Sequence, residues 1–518
     1  MSWSEHLPVV PVVLPLAAGA LMLVLDERRS TLKGAISIAS LVLLLAAALA
    51  LLGVADGPIA LVYALGDWPA PFGIVLVADR LAAAMVLLTA VLGLAAMVFS
   101  LARWHRAGPR FHSLLQFLLM GLNGAFLTGD LFNLFVFFEL LLAASYGLAL
   151  HGSGTARVRS SLHYIVINLG ASLLFLIGVS LIYGVAGTLN LAHLAQRIPQ
   201  IAAGDRALVE AGAAVLAIAF LVKAGMWPLG FWLPSTYAAA SAPAAALFAI
   251  LSKVGFYAVL RIWLLFFGGG VGSELLFYGG MATLAFGIIG MLASQELGRL
   301  AGYSLLVSSG TLLATISRSD GAVTGAALFY LVASTLGIAA FFLLIELVQR
   351  SREPGADMLA VTAEAFGLGE EDEEQPEEQS GTEIPAVMAL LGLSFVCCAL
   401  LVAGLPPLPG FLAKFGLLAA VLEPEPISAR AWALLVVLTL AGLAAVIAMG
   451  RAGVRIFWAA EERSVPRVRL IEITPIAGLL ALCFALAVAP GPAMRYLHDA
   501  ALALHAPQRY IDSVLGRP

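Results

Sequence analysis

FLVKAGMWPLGFWLPSTYAAASAPAAALFAILSKVGFYAVLR, residues 220–261, is apolar enough to lie in a membrane, yet Lys223 and Lys253 each sit deep inside an apolar run. Between them Gly225, Pro228 and Pro234 interrupt what would otherwise be one spanning helix. Proline removes a backbone donor and clashes with the preceding turn. A broken helix at membrane depth is tolerated only where protein or a wet cavity covers the freed backbone groups. An ionisable group at the bilayer centre costs roughly 2.5–3.5 kcal/mol on insertion scales. Two lysines beside a break therefore imply a polar path inside the membrane. The chain holds only four lysines, Lys33, Lys223, Lys253 and Lys414, and only Lys33 falls in an obvious loop.

The composition around this stretch is that of an all-α polytopic membrane protein. Of 518 residues, 61% are hydrophobic and 12% charged, against about 25% charged in soluble domains. Mean hydropathy is +0.99. At about 20 apolar residues per span, about 14 spans are expected: 7–25, 33–53, 75–101, 112–129, 131–150, 162–184, 210–240 (broken), 242–264, 274–293, 300–316, 323–347, 385–422 (broken), 431–449 and 472–490. The opening SWSEHLPVVPVVLPLAAGALMLVL lacks a basic leader region and is expected to form the first span. Cys397, Cys398 and Cys483 all fall in apolar spans. They offer no disulfide framework, metal-site spacing or iron–sulfur motif. There is no glycine-rich phosphate loop. No cofactor, metal or nucleic acid is expected.

The positive-inside rule orients the spans with both termini outside the cytoplasm. Sixteen basic residues then face inward, among them Arg28, Arg29, Arg103, Arg106, Arg110, Arg157, Arg159 and Arg350. Nine face outward, including Arg80, Arg261, Arg318 and Arg430. Within VADRL, Asp79 and Arg80 have the look of an interfacial ion pair. An insertion at 350–384 carries GEEDEEQPEEQSGTE, a self-repelling acidic tract that reads as a solvated cytoplasmic linker.

A second interruption echoes the first. WPLGFWLP at 227–234 and GLPPLPGFLAKF at 404–415 both place Pro-Leu and then Gly-Phe beside a lysine, Lys223 before the first break and Lys414 after the second. Paired discontinuous helices in the two halves of a transporter point to inverted repeats and to the ion path. Glu139, in GDLFNLFVFFELLLAASYGL, is the carboxylate placed in the middle of a span. Burial disfavours the charged form of both carboxylate and ammonium, and facing each other they restore it. A Glu139–Lys223 pair whose coupling is made and broken is thus a protonic switch; the bland alternative is a static pair joining two helices. The bland reading of each lysine is snorkelling to the interface. Asp130 reads first as an interfacial or helix-capping residue. His163 reads as a proton relay or an interfacial anchor. Ser304, Ser308, Ser334 and Thr335 serve either to hold water or to let helices pack closely.

The blocks VKAGMWPLGFWLPSTYAAASAPAAALFAILSKVGFYAVLR and GLPPLPGFLAKF resemble signatures of the antiporter-like membrane subunits shared by complex I and the Mrp (Pha) cation/proton antiporters. The resemblance runs from about residue 70 to 460. It implies 14 helices, with spans 4–8 and 9–13 as two inverted five-helix repeats and spans 7 and 12 discontinuous. The domains expected are 1–110, 111–265, 274–460 and 461–518. Position by position, the resemblance implies proton translocation by Glu139, Lys223, Lys253 and Lys414. The span-5 block and the Glu353–Asp357 opening of the insertion look most like D subunits of Mrp antiporters. YLVASTLGIAAFFLL, however, carries no charge where many relatives have His or Lys. Water with Ser304, Ser308, Ser334 and Thr335 is then required between Lys253 and Lys414. The function implied is a subunit of a bacterial inner-membrane Na+/H+ or K+/H+ antiporter, surrounded by partner subunits and lipids. The alternative is a proton-pumping subunit of an NADH:quinone oxidoreductase or membrane-bound hydrogenase.

Overall fold

The computed structural model describes residues 3–57, 59–350, 386–423, 426–457 and 468–516. The acidic tract and the opening of the insertion lie outside the described residues. The helices are α1 (Val10–Val24), α2 (Ser30–Val54), α3 (Arg80–Ser100), α4 (Phe111–Leu127), α5 (Leu131–Ala149), α6 (Thr155–Ala186), α7 (Leu191–Arg197), α8 (Ala203–Ala224), α9 (Trp232–Ala239), α10 (Ala242–Phe267), α11 (Ser273–Ala293), α12 (Leu297–Ile316), α13 (Gly321–Arg350), α14 (Ala386–Ala403), α15 (Pro409–Leu422), α16 (Ala429–Phe457), α17 (Leu470–Val488), α18 (Pro490–Leu504) and α19 (Pro507–Leu515). Among the described residues, twelve helices are long and apolar enough to cross a membrane, and α4 and α15 are shorter apolar helices.

Layering follows from the surroundings. In lipid, apolar side chains have no reason to turn inward, and Leu43, Val166, Leu169 and Leu443 are exposed accordingly. Helices α10 and α13 are instead enclosed, with 89% of each apolar window buried. They carry Lys253 and Ser334, so the polar positions lie at the centre of the bundle.

Four expectations need correction. Val75–Ala78 is not the start of the third span but strand β2, paired antiparallel with β1 (Leu61–Ala64), Leu61 opposite Ala78. Helix α3 begins only at Arg80, where the Asp79 carboxylate caps it by accepting from Ala82 N at 2.9 Å. Asp79 and Arg80 are not each other's partners: Asp79 pairs with Arg261 at 2.8 Å and Arg80 with Asp56 at 2.9 Å. Arg261, expected at the outer surface, is buried within α10, with its guanidinium over the Tyr257 and Tyr510 rings. Lys33 is not a loop residue. It is buried in the first turn of α2 and pairs with Glu27 at 2.8 Å.

Both broken spans arise by the same chemistry. Helix α8 stops at Gly225 (φ +77°) and α14 at Gly404 (φ +73°), the left-handed region where glycine is favoured at a helix end. The following amides fold back: Met226 N to Leu221 O at 3.0 Å and Leu405 N to Leu400 O at 3.0 Å. The glycine of each Gly-Phe pair then packs onto the end of the preceding half-helix. A Cβ at Gly230 would overlap the Gly225 carbonyl, and one at Gly410 the Leu401 carbonyl. The repeated motif therefore encodes a chain that stops, doubles back and restarts.

Candidate functional site

Lys223 occupies the last turn of α8, where the C-terminal end of the helix dipole favours a cation. Its Nζ is buried, 5.0 Å from the centre of the Phe138 ring. Among the described residues it has no hydrogen-bond partner. Glu139, on α5, is half-buried and accepts a hydrogen bond from Ser172 on α6. The two residues expected to pair stand on neighbouring elements without forming an ion pair.

Lys253 is fully buried in α10. Helix α10 approaches the end of α8 closely: a Cβ at Gly255 would lie 2.5 Å from Ala224 N. The Lys253 ammonium donates to Ser308 Oγ at 2.7 Å, and Ser308 Oγ is hydrogen-bonded to Ser334 Oγ at 3.0 Å. Beside these two serines lies a cavity of about 20 Å³, lined also by Ser304, Tyr330, Leu401, Val402 and Gly410. One water needs roughly 10–15 Å³ by this measure.

Lys414, on α15, is hydrogen-bonded to the end of α14 that borders that cavity. Its Nζ donates to the Ala403 carbonyl at 2.8 Å and the Val402 carbonyl at 3.3 Å. These oxygens belong to the last turn of α14, whose terminal carbonyls lack helical partners. The serine pair and the Val402 end of α14 thus border one small, mainly apolar space, and each is hydrogen-bonded to a lysine.

The remaining candidates separate. Ser304 Oγ reaches the cavity wall while donating to Leu300 O at 2.9 Å. Thr335 is buried, but its hydroxyl donates to Leu331 O of its own helix at 2.6 Å. Asp130 caps α5, accepting from Asn133 N at 2.9 Å. His163 is exposed on α6, with Nδ1–H donating to Arg159 O at 2.9 Å; it does not join the buried groups.

Sequence reading missed two buried groups that have no partner among the described residues, Trp232 Nε1 and Tyr237 OH on α9; the hydroxyl of Ser309 on α12, one of the small polar residues of AGYSLLVSSGTLL, is likewise without one. These helices pack together, Gly302 against Pro234. A buried polar group left unsatisfied costs about 1–3 kcal/mol, so these positions are not set by stability alone. Also missed was the ion pair Arg261–Asp79. Arg261 follows Lys253 and Tyr257 at intervals of four, and that spacing was the available signal. At the opposite end of the bundle, Arg350 joins Glu472 at 2.6 Å and also Glu346, whose carboxylate accepts from Trp104 Nε1 at 2.6 Å.

A helical membrane bundle with two discontinuous helices and buried lysines at both breaks has the construction of a transporter. More particularly, the chain belongs to the family described as NADH:quinone oxidoreductase/Mrp antiporter, transmembrane, whose model matches residues 128–443. It is 56% identical to the D subunit of a probable K(+)/H(+) antiporter of Rhizobium meliloti (strain 1021), covering 100% of this chain and 98% of that protein. It is 33% identical to the D subunit of the Na(+)/H(+) antiporter of Alkalihalophilus pseudofirmus, with 99% of each covered. Among solved structures, a chain of the Mrp complex from Dietzia sp. DQ12-45-1b superposes with a TM-score of 0.84 at 27% identity over 100% of both chains. A chain of respiratory complex I from Thermus thermophilus shares the fold, with a TM-score of 0.74 at 22% identity over 97% of this chain and 99% of that one.

Proposed function

We propose that this chain is the D-type subunit of a multi-subunit K+/H+ or Na+/H+ antiporter of the bacterial cytoplasmic membrane, and that it carries protons along Glu139, Lys223, Lys253 and Lys414. The observation that carries this reading is the set of three lysines buried in the bundle, the second and third hydrogen-bonded to Ser308 and Val402, which border a common cavity large enough for one water. The relatives from Rhizobium meliloti and Alkalihalophilus pseudofirmus, subunits of a probable K(+)/H(+) and of an Na(+)/H(+) antiporter, support the cation/proton pairing. Two inverted repeats, spans 4–8 and 9–13, fit the shared chemistry of the two breaks. Both termini are outside in this reading, partner subunits cover part of the surface, and lipid contacts the exposed aliphatic side chains.

Lys223 is charged when it approaches Glu139. When they part, with Glu139 held by Ser172, Lys223 lacks a counter-ion and passes its proton towards Lys253. Ser308, Ser334 and a water in the cavity hand it on to Lys414. One charge moving through 100 mV gains about 2.3 kcal/mol, more than the roughly 1.36 kcal/mol of one pKa unit. Modest rearrangement therefore suffices to load and unload each lysine.

The test is expression of the complete gene cluster in antiporter-deficient bacteria, with proton efflux from everted vesicles followed on adding Na+ or K+. A cation-triggered response that is lost in Lys223→Ala at normal complex levels is expected. Wild-type vesicles that ignore both cations but take up protons with NADH would place the chain in a redox-driven complex.

A further inference from the structure

Along α13, Ser334, Tyr330, Ala326 and Ala322 follow at intervals of four and so share one face. The first two line the small cavity between Lys253 and Lys414. The last two line a second, open cavity of about 380 Å³ at the Gly321 end of the helix. Half-helix α15 borders both spaces, Gly410 the inner and Gly416 the outer, and Lys414 lies between them in the chain. The outer cavity is bordered by α18, which contributes Arg495, His498 and Asp499. All three are exposed. Helix α13 makes room for the imidazole: a Cβ at Gly325 would come within 3.0 Å of His498 Cα and 3.2 Å of Nδ1. At about 30 Å³ per molecule of liquid water, the space admits several waters.

We propose that this outer cavity is a proton port, in which His498, with Asp499 beside it, exchanges protons between water at that face and Lys414. The proposal rests on the proton-path reading above. Imidazole suits the task because it takes up and releases protons near neutral pH. Each step moves one proton between Lys414, water and a ring nitrogen, and no bond between heavy atoms changes. Arg495 offsets Asp499 in the cavity, and the Lys414 ammonium, two residues from Gly416 of the cavity wall, leaves the passage positive at its inner end. A metal cation is disfavoured there, while a proton handed between neutral and charged bases is not.

The test uses the complete complex in membrane vesicles, comparing cation-driven proton flux in wild type, Lys414→Ala, His498→Ala and Ala326→Phe. Lys414→Ala is expected to be silent. His498→Ala should slow by roughly tenfold or more, at the low end of what a positioned proton-transfer group contributes, and recover when imidazole is added. Ala326→Phe narrows the cavity without removing a titratable group; it should slow the flux and resist imidazole. Normal flux from both His498→Ala and Ala326→Phe, with Lys414→Ala silent, overturns the port and spares the path. Normal flux from Lys414→Ala overturns the path itself. If His498→Ala does not assemble, labelling of Ala326→Cys by a membrane-impermeant maleimide decides: reaction supports the port, and no reaction in assembled complex refutes it.

Discussion

In the first broken span the lysine closes the leading half-helix and points at an aromatic ring; in the second it sits on the trailing half-helix and reaches back to the carbonyls that the break sets free. The backbones are built alike, from a left-handed glycine and a folded-back Gly-Phe pair. The difference is where the charge finds its partner. Lys414 carries its solvation with it, as two main-chain oxygens. Lys223 has none among the described residues and depends on Glu139, which is engaged elsewhere. One break therefore holds a settled cation and the other an unsettled one.

The largest effect that probes this contrast is on transport. Lys223→Ala and Lys414→Ala should each lower cation-driven proton flux by about 100-fold or more, the scale of losing a positioned proton-transfer group. Vesicle fluorescence measures it, and substantial flux in either variant breaks the proposed sequence of sites. Stability separates the two next. Lys414→Met strands the Val402 and Ala403 carbonyls and should destabilise the purified complex by about 1–3 kcal/mol. Lys223→Met removes an unpartnered charge and should be neutral or stabilising. Equal shifts in thermal unfolding would erase the distinction.

Ser308→Ala removes the hydroxyl that holds Lys253 and should slow flux by roughly tenfold, about 1.4 kcal/mol in barrier, with assembly unchanged. Thr283→Ala should act on the first break alone. The Thr283 hydroxyl accepts from Trp227 N at 2.8 Å, and its loss should cost about 1 kcal/mol, read as faster amide exchange around Trp227 with Leu405 unaffected. The smallest effect is of pH, again on the first break. Arg157 donates to Ala239 O, at the end of α9, at 2.8 Å and to His151 O at 2.9 Å. Burial holds the His151 imidazole below its usual range, the Trp104 carbonyl works against this, and Arg157 pushes the same way as burial. The unfolded chain thus binds more protons there than the folded one. This contribution is intact above about pH 6.5 and is lost as pH falls below it. Exchange near Ala239 should rise at pH 5.5 while exchange near Leu422 stays level.

Both breaks were legible in the sequence because glycine and proline act through the backbone, whose response is local. The three buried lysines were legible because a charge inside an apolar run is too costly to be incidental. Partner choice was not legible. Arg261 and Asp79 meet across 182 positions, and nothing local ties them. VLVA at 75–78 is as apolar as the helix it precedes, so only pairing with Leu61–Ala64 distinguishes it as a strand. The choice between the two readings of His163 was not legible because it is rotational: α6 turns it towards the face that carries Leu162 and Val166, both exposed, away from the interior. The helices of the C-terminal tail were hidden by their polarity, since α18 and α19 are amphipathic and lie against the bundle instead of crossing it.

The space between Ser308 and Val402 has one more implication, which concerns the other ion. A dehydrated alkali cation needs a cage of several oxygens in place of its hydration shell. A gap for a single water, walled by a few hydroxyls and mainly by apolar side chains, supplies no such cage. If protons take this path, the exchanged metal ion travels by a separate road, and exchange is a transaction between two routes rather than two passengers sharing one.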